Sequence, residues 1–535
     1  MSEEKKSTFV KGAVILGLAG IVVKILGAAF RIPITWIITS EGLGYYQTAY
    51  PIYVLLISIA TSGFPVAISK MVSARRAVGD VRGADRVFKI IFKILLGMGV
   101  VTSTVMLFSA DYIVTVMLQN PKAYMALVAL VPAILLVPIM AAFRGYFQGL
   151  NNMNPSAISQ IAEQFARVIF GVSLAIIFVP KGLEYGAAGA TFGATAGAVC
   201  GLVVMLVIYY KNKSKRDFEL ENSQMFEREK TGDILRELVT IALPIIIGAL
   251  VMPTMNTIDL ALVMRRLVAA GFTHAQANTM YAQLTGIAAT LINLPQVITG
   301  AIAISLVPVI SSAYAVGDMK RTRENTNLAI RVSLLIGLPC AVGLFVLATP
   351  IIGLLYPSEP SSVGGILAIM AIGVVFLSLI QSFTSVLQGM GKAHIPVFNL
   401  FIGAAVKFAL TYSLTAIPSL NVKGAAISTV VAYMVAAVLD YLSVRKYLGL
   451  KFDIGDFLIR PMITAAVMGV FAKLAYMAMA PFLGNAIATL LSVAIGGVIY
   501  VVALFITKTL TRKDFENLPK GDKMISKLEK MKLLK

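Results

Sequence analysis

Apolar residues along this 535-residue chain gather into runs about as long as a membrane is thick, separated by short polar stretches. A helix that crosses a bilayer needs about 20 mostly apolar residues, and about fourteen runs meet that length. The predicted helices cover 10–38, 46–74, 86–109, 122–149, 155–179, 185–210, 233–263, 278–314, 326–350, 361–389, 393–417, 421–445, 456–480 and 483–508. The expected fold is therefore an all-α polytopic membrane protein, with little chain left for a soluble domain.

Composition agrees: 58% of residues are hydrophobic and 13% charged, a balance suited to lipid rather than water. The formal net charge of +20 does not point to nucleic acid, because Lys and Arg fall between apolar runs and form no basic face interleaved with aromatics. Their distribution follows the positive-inside rule. Links after helices 1, 3, 5, 9, 11 and 13 hold almost none. The alternate links hold Arg75, Arg76, Arg82 and Arg86, then Lys211 to Lys230, then Lys320, Arg321 and Arg323, then Arg445, Lys446 and Lys451. This places the chain in the cytoplasmic membrane with both termini cytoplasmic. Lys5, Lys6 and Lys11 precede the first run, which Lys24 and Arg31 interrupt, so it reads as a retained first helix. Arg265 and Arg266 break the charge rule, since they follow helix 7 on the side that should be poor in cations. Cys200 and Cys340 each stand alone in apolar segments and suggest neither a metal site nor a disulfide.

The chain also repeats itself. Ala67-Ile68-Ser69 and Ala77-Val78-Gly79-Asp80 recur as Ala303-Ile304-Ser305 and Ala315-Val316-Gly317-Asp318, shifted by 236 and 238 positions. Phe147-Gln148-Gly149 recurs as Leu387-Gln388-Gly389, and Arg167 corresponds to Lys407, both shifted by 240. Each unit holds an even number of spans, so the expected relation is a pseudo-two-fold axis along the membrane normal around a central cavity. The predicted organisation is a six-helix lobe over 1–210, a connector over 211–232, a second six-helix lobe over 233–447, a helix pair over 448–510 and a basic tail over 511–535. The tail suits attraction to anionic lipid.

A charge inside a spanning helix costs about 2.5–3.5 kcal/mol on insertion scales, so it needs a partner or a wet cavity. Lys24 and Arg31 in helix 1 are two turns apart and stack on one face about 10 Å apart. Glu163 and Arg167 have the i, i+4 spacing of an internal ion pair, whereas Lys407 faces Gly403 at the matching position and lacks that local partner. Asn256 and Asp259 share a face of helix 7, and Asp259 and Glu163 are candidates to carry a coupling ion. Tyr46, Tyr50 and Tyr53 on helix 2 read as an interfacial aromatic belt. Asn293 and Gln296 read as hydrogen-bonding glue between helices. His274 and His394 lie in separate links and form no joint site. A cavity rich in Lys and Arg suits an anionic cargo such as a pyrophosphate.

Phe143-Arg144-Gly145-Tyr146-Phe147-Gln148-Gly149 with Asn152-Met153-Asn154-Pro155 resembles the helix 4 to 5 signature of bacterial polysaccharide-export proteins. Thr8 to Gly12, Lys24-Ile25-Leu26-Gly27, Arg31 and Gly63 to Lys70 resemble the stage V sporulation protein B group. That group belongs to the superfamily of multidrug, oligosaccharidyl-lipid and polysaccharide exporters, on a branch similar to the MurJ flippases. The resemblance implies a flippase that moves undecaprenyl-pyrophosphate-linked precursor, lipid II, by alternating access, without a cofactor, driven by sodium, protons or the membrane potential. It implies Lys24 and Arg31 as substrate cations, with Arg265 and Arg266 as a source of charge from the helix 7 to 8 region. Lys407, which lacks a local acid, and Asn256 are further candidate contacts, and the expected protein is a monomer whose partners are the lipid-linked substrate and membrane lipids. At the family's helix 2 arginine this chain offers only Ser58 or apolar neighbours. The rivals are a flippase for another undecaprenyl-linked oligosaccharide, a cation-coupled multidrug exporter and, from another class, a membrane glycosyltransferase or acyltransferase. The last would need a catalytic His or paired carboxylates on a sizeable loop.

Overall fold

The computed structural model describes residues 3–224, 226–450, 455–507 and 509, the side chains of 3–14, 304 and 456 excepted. Lys451 and the basic tail lie outside the described residues. Among those described, regular structure is entirely helical, and twelve helical segments are long and apolar enough to cross a membrane. Two of them are broken by a residue off the helical path: Ile15–Ala77 at Thr39, φ 58°, and Phe457–Ile506 at Gly484, φ 71°. At 63 and 50 residues, each is long enough for two crossings. The described residues therefore hold fourteen spans, as the hydropathy pattern predicts.

These are α1 (15–38), α2 (40–77), α3 (Val81–Met117), α4 (Pro121–Gly149), α5 (Asn154–Lys181), α6 (Leu183–Lys211), α7 (Thr231–Ala269), α8 (His274–Ala315), α9 (Met319–Val346), α10 (Ser362–Gly389), α11 (His394–Leu414), α12 (Val422–Leu448), α13 (457–483) and α14 (485–506). The predicted link at 39–45 is thus a single residue. A β-branched side chain at positive φ is a strained conformation that its surroundings must hold. A buried polar knot lies just beyond it. Asn278 donates to the Glu41 carbonyl at 2.8 Å and accepts from Asn120 at 2.8 Å, and Asn120 also donates to Thr48 at 2.9 Å.

The chain forms two compact units, Met1–Ala282 and Gln283–Lys535, so α7 and the first turns of α8 belong to the first. In that unit α6 carries glycine at every fourth position: 189, 193, 197 and 201. A Cβ at Gly189, Gly193 or Gly197 would lie 2.6 Å from the carbonyl oxygen of Leu174, Arg167 or Glu163 respectively. The stripe lets the backbones of α5 and α6 touch, as small residues do between membrane helices. The second unit contains its own apolar core, including Ile330, Leu334, Phe383, Val386 and Leu448. There Gln381 accepts from Thr299 at 2.6 Å and donates to Gln296 at 3.4 Å, the interhelical role predicted for Gln296, whereas Asn293 accepts from Gln296 at 3.1 Å within its own helix.

The sequence repeat returns as repeated geometry. Asp80 and Asp318 each follow a positive-φ glycine (Gly79, 87°; Gly317, 74°) and cap the next helix by accepting from the backbone N–H three residues on, at 2.7 and 2.9 Å. A Cβ at Gly149 would meet Val72 and the Ser69 carbonyl at 2.8 and 3.0 Å. At Gly389 it would meet Ile310 and the Val307 carbonyl at the same two distances.

Candidate functional site

The best-defined polar centre of the first unit assembles from α2, α4 and α5. Pressed backbone to backbone on α6, α5 presents Glu163 and Arg167 one turn apart. Glu163 accepts from Arg167 Nη2 at 3.0 Å and from Arg144 Nη2 of α4 at 2.9 Å, and Arg144 also donates to Ser159 at 2.8 Å. Arg167 Nη1 donates to the Tyr50 hydroxyl of α2 at 3.3 Å. All three charged side chains are about 15% exposed, in a setting where unpaired charge is costly. Tyr50 stacks on Tyr46 with ring centres 5.3 Å apart and meets Tyr53 at 5.8 Å.

Helix α1 adjoins this centre. A Cβ at Gly27 would lie 3.4 Å from the Gln164 amide nitrogen, Phe30 meets Tyr46 at 6.5 Å, and the Tyr46 phenol lies in the fields of both Arg31 and Arg167. Two arginines and one glutamate thus gather beside a tyrosine stack, with positive charge in excess, and Arg31 approaches from α1. Arg144 and Arg167 Nε and the Tyr53 hydroxyl are buried without a hydrogen-bond partner. Such groups favour an anion that brings several acceptor oxygens.

The predicted residues fare differently. The Glu163–Arg167 pair is present, but Glu163 serves two arginines. Tyr46 and Tyr53 are 4% and 0% exposed, so the aromatic-belt reading is replaced by a buried stack. Lys24 is exposed and Arg31 half-buried. Among the described residues no hydrogen bond or ion pair engages the side chains of Lys24 or Asn256, whereas Arg31, Asp259, Arg266 and Lys407 each have an interaction partner. Lys407 is 7% exposed, buried on α11. Arg265 donates to the Met117 carbonyl at 2.8 Å and so caps the end of α3. Ser58 donates to the Val54 carbonyl of its own helix at 2.6 Å. His274 and His394 open α8 and α11. Sequence reasoning missed Arg144 as a partner of Glu163. The available signal was its place in Phe143-Arg144-Gly145-Tyr146, where a cation stands among residues that pack closely.

Fourteen spans with buried, incompletely satisfied cations define a multi-pass membrane transporter. Residues 9–314 match the model of the polysaccharide biosynthesis protein family, and 244–413 match that of MatE. The chain belongs to the polysaccharide biosynthesis protein family, in the stage V sporulation protein B group and MurJ-like branch of the multidrug, oligosaccharidyl-lipid and polysaccharide exporter superfamily. It is similar to stage V sporulation protein B of Bacillus subtilis (strain 168), with 30% identity over 452 residues, 84% of this chain and 86% of that protein. Lipid II flippase MurJ of the same organism is 27% identical over 519 residues, 92% and 94% of the two chains. A solved structure of lipid II flippase MurJ in an inward closed conformation shares the fold, with a TM-score of 0.70 at 17% identity over 92% of this chain and 98% of that one.

Proposed function

We propose that the protein is a flippase that carries an undecaprenyl-pyrophosphate-linked cell-wall precursor, lipid II, from the inner to the outer leaflet by alternating access. The observation that carries this reading is the buried excess of positive charge around the tyrosine stack. Arg31, Arg144 and Arg167 against Glu163 suit a pyrophosphate, and a second anionic group would meet Lys24, the exposed cation two turns from Arg31. Asn256 on α7 has hydrogen-bonding capacity left for a sugar. The name of the 27% identical relative supports the same cargo. Asp259, with Glu163 as a second candidate, would hold the coupling ion, and both termini would face the cytoplasm of a cell that uses the protein as a monomer.

A second cargo, another undecaprenyl-linked oligosaccharide, is favoured by the family model over 9–314 and by the 30% identity to stage V sporulation protein B. A cationic drug fits poorly beside three arginines. Depletion in a strain lacking other flippases separates the readings: lipid II trapped in the inner leaflet supports the first. Normal lipid II exposure together with a different accumulating lipid-linked sugar overturns it in favour of the second.

A further inference from the structure

The signature Phe143 to Asn152 has a second consequence, away from the arginine cluster. Its Tyr146, Phe147 and Asn152 line a cavity of about 280 Å3 in the first unit, at the ends of α2, α4 and α6. The roof is the short helix Lys213–Glu221 of the connector. Asn212, Lys215, Arg216 and Glu219 recur at helical spacing and all face the cavity. Arg216 lies 3.9 Å from the centre of the Tyr209 ring and only 3.9 Å from its nearest carboxylate, Asp217, too far for a hydrogen bond. Arg76 enters from α2 and is held by Glu219 at 2.7 Å. Arg76, Lys215 and Arg216 thus line the cavity with Glu219, which is bonded to Arg76 alone.

We propose that this cavity binds the phosphate-bearing headgroup of an anionic phospholipid. The chemistry common to all its ligands would be a phosphate ester, and two observations favour a lipid over a soluble anion. The cavity stands where three spans end, the depth of headgroups. The neighbouring Phe218 and Tyr210 are 67% and 64% exposed, large aromatic surfaces that suit the membrane interface. Phe147 and Leu150 give the cavity an apolar side against which a glycerol backbone can rest. Bound there, the headgroup would compete with Glu219 for Arg76 and so act on the connector helix directly.

The test is a titration of the purified, delipidated full-length protein with phosphatidylglycerol and with phosphatidylcholine, counting bound lipid by native mass spectrometry. Phosphatidylglycerol should be preferred. At roughly fivefold per cation, Lys215→Gln with Arg216→Gln should weaken it about thirtyfold. Glu219→Gln should tighten it, because the headgroup loses its competitor for Arg76, and this gain of affinity is a result that a misfolded protein does not give. Equal phosphatidylglycerol binding by the double variant, or unchanged binding by Glu219→Gln, would overturn the proposal. Displacement of the lipid by inorganic phosphate alone would overturn it too, by making the cavity a site for soluble anions.

Discussion

Replacing Glu163 with Gln tests the central cluster most directly. The change keeps the size of the side chain and removes the one carboxylate that faces both Arg144, 2.9 Å away, and Arg167, 3.0 Å away. Two guanidinium groups, each about 15% exposed, would then share a mostly buried space without an opposing charge. Breaking a buried pair by removing one partner costs about 3–5 kcal/mol, and the residual exposure argues for the lower end. Replacing Arg144 with Gln instead leaves the Glu163–Arg167 pair neutral and complete, and should cost about 1–3 kcal/mol for the hydrogen bonds lost to Glu163 and Ser159. In the double variant the loss of Arg144 relieves part of the repulsion that Glu163→Gln creates, so its cost should fall short of the sum of the two single costs by about 1–3 kcal/mol. Apparent melting temperatures of the purified wild type, both single variants and the double variant close the cycle. If Glu163→Gln is no worse than Arg144→Gln and the effects simply add, Glu163 is not the shared counter-ion and the site has been misread.

Lys24→Ala and Arg31→Ala should each abolish complementation of a flippase-depleted strain while membrane levels of the protein stay normal; full activity of both would remove helix α1 from the substrate path. Gly193→Leu drives a side chain into the Arg167 carbonyl and should destabilise the protein by about 1–3 kcal/mol or more, read as lost expression or a lower melting temperature, whereas the same change at Gly97, which has open space around it, should be tolerated. Asn278→Ala removes a side chain that holds both Asn120 and the Glu41 carbonyl, and a loss of about 1–3 kcal/mol should appear in the same melting assay. Arg75→Ala frees Glu229 and Glu237, which Arg75 grips at 2.5 and 2.8 Å, so trypsin should cut the 211–230 connector faster in the variant than in the wild type.

What the sequence made legible was whatever depends on spacing along one helix. The spans follow from the lengths of apolar runs, the Glu163–Arg167 pair from a four-residue interval, and the duplicated Gly-Asp turns from a nearly constant shift. Contacts between distant segments were beyond that kind of reading. Nothing local says that Arg144, nineteen positions earlier, meets the same carboxylate, or that Tyr50 of another helix accepts from Arg167. Tyrosines at the start of a span look the same whether they face headgroups or a neighbouring helix, so spacing alone does not separate a belt from a buried stack. The link between the first two helices was legible at 39–45, but its reduction to Thr39 alone was not, because threonine carries no sign of positive φ. The second link, expected at 481–482, falls two residues later at Gly484.

The glycine contacts between α5 and α6 also bear on how the first unit can move. Two helices that touch through their backbones have no side-chain layer to slide on, so they behave as one beam. Glu163 and Arg167 ride on that beam together, and their mutual distance is insensitive to any rearrangement of the bundle. Tyr50 and Arg144 are mounted on other helices. The 3.3 Å bond from Arg167 to Tyr50 is the longer and weaker link, so a transport stroke that shifts α2 against the beam would open the cluster there first and expose the Arg167 guanidinium while its pair with Glu163 stays closed.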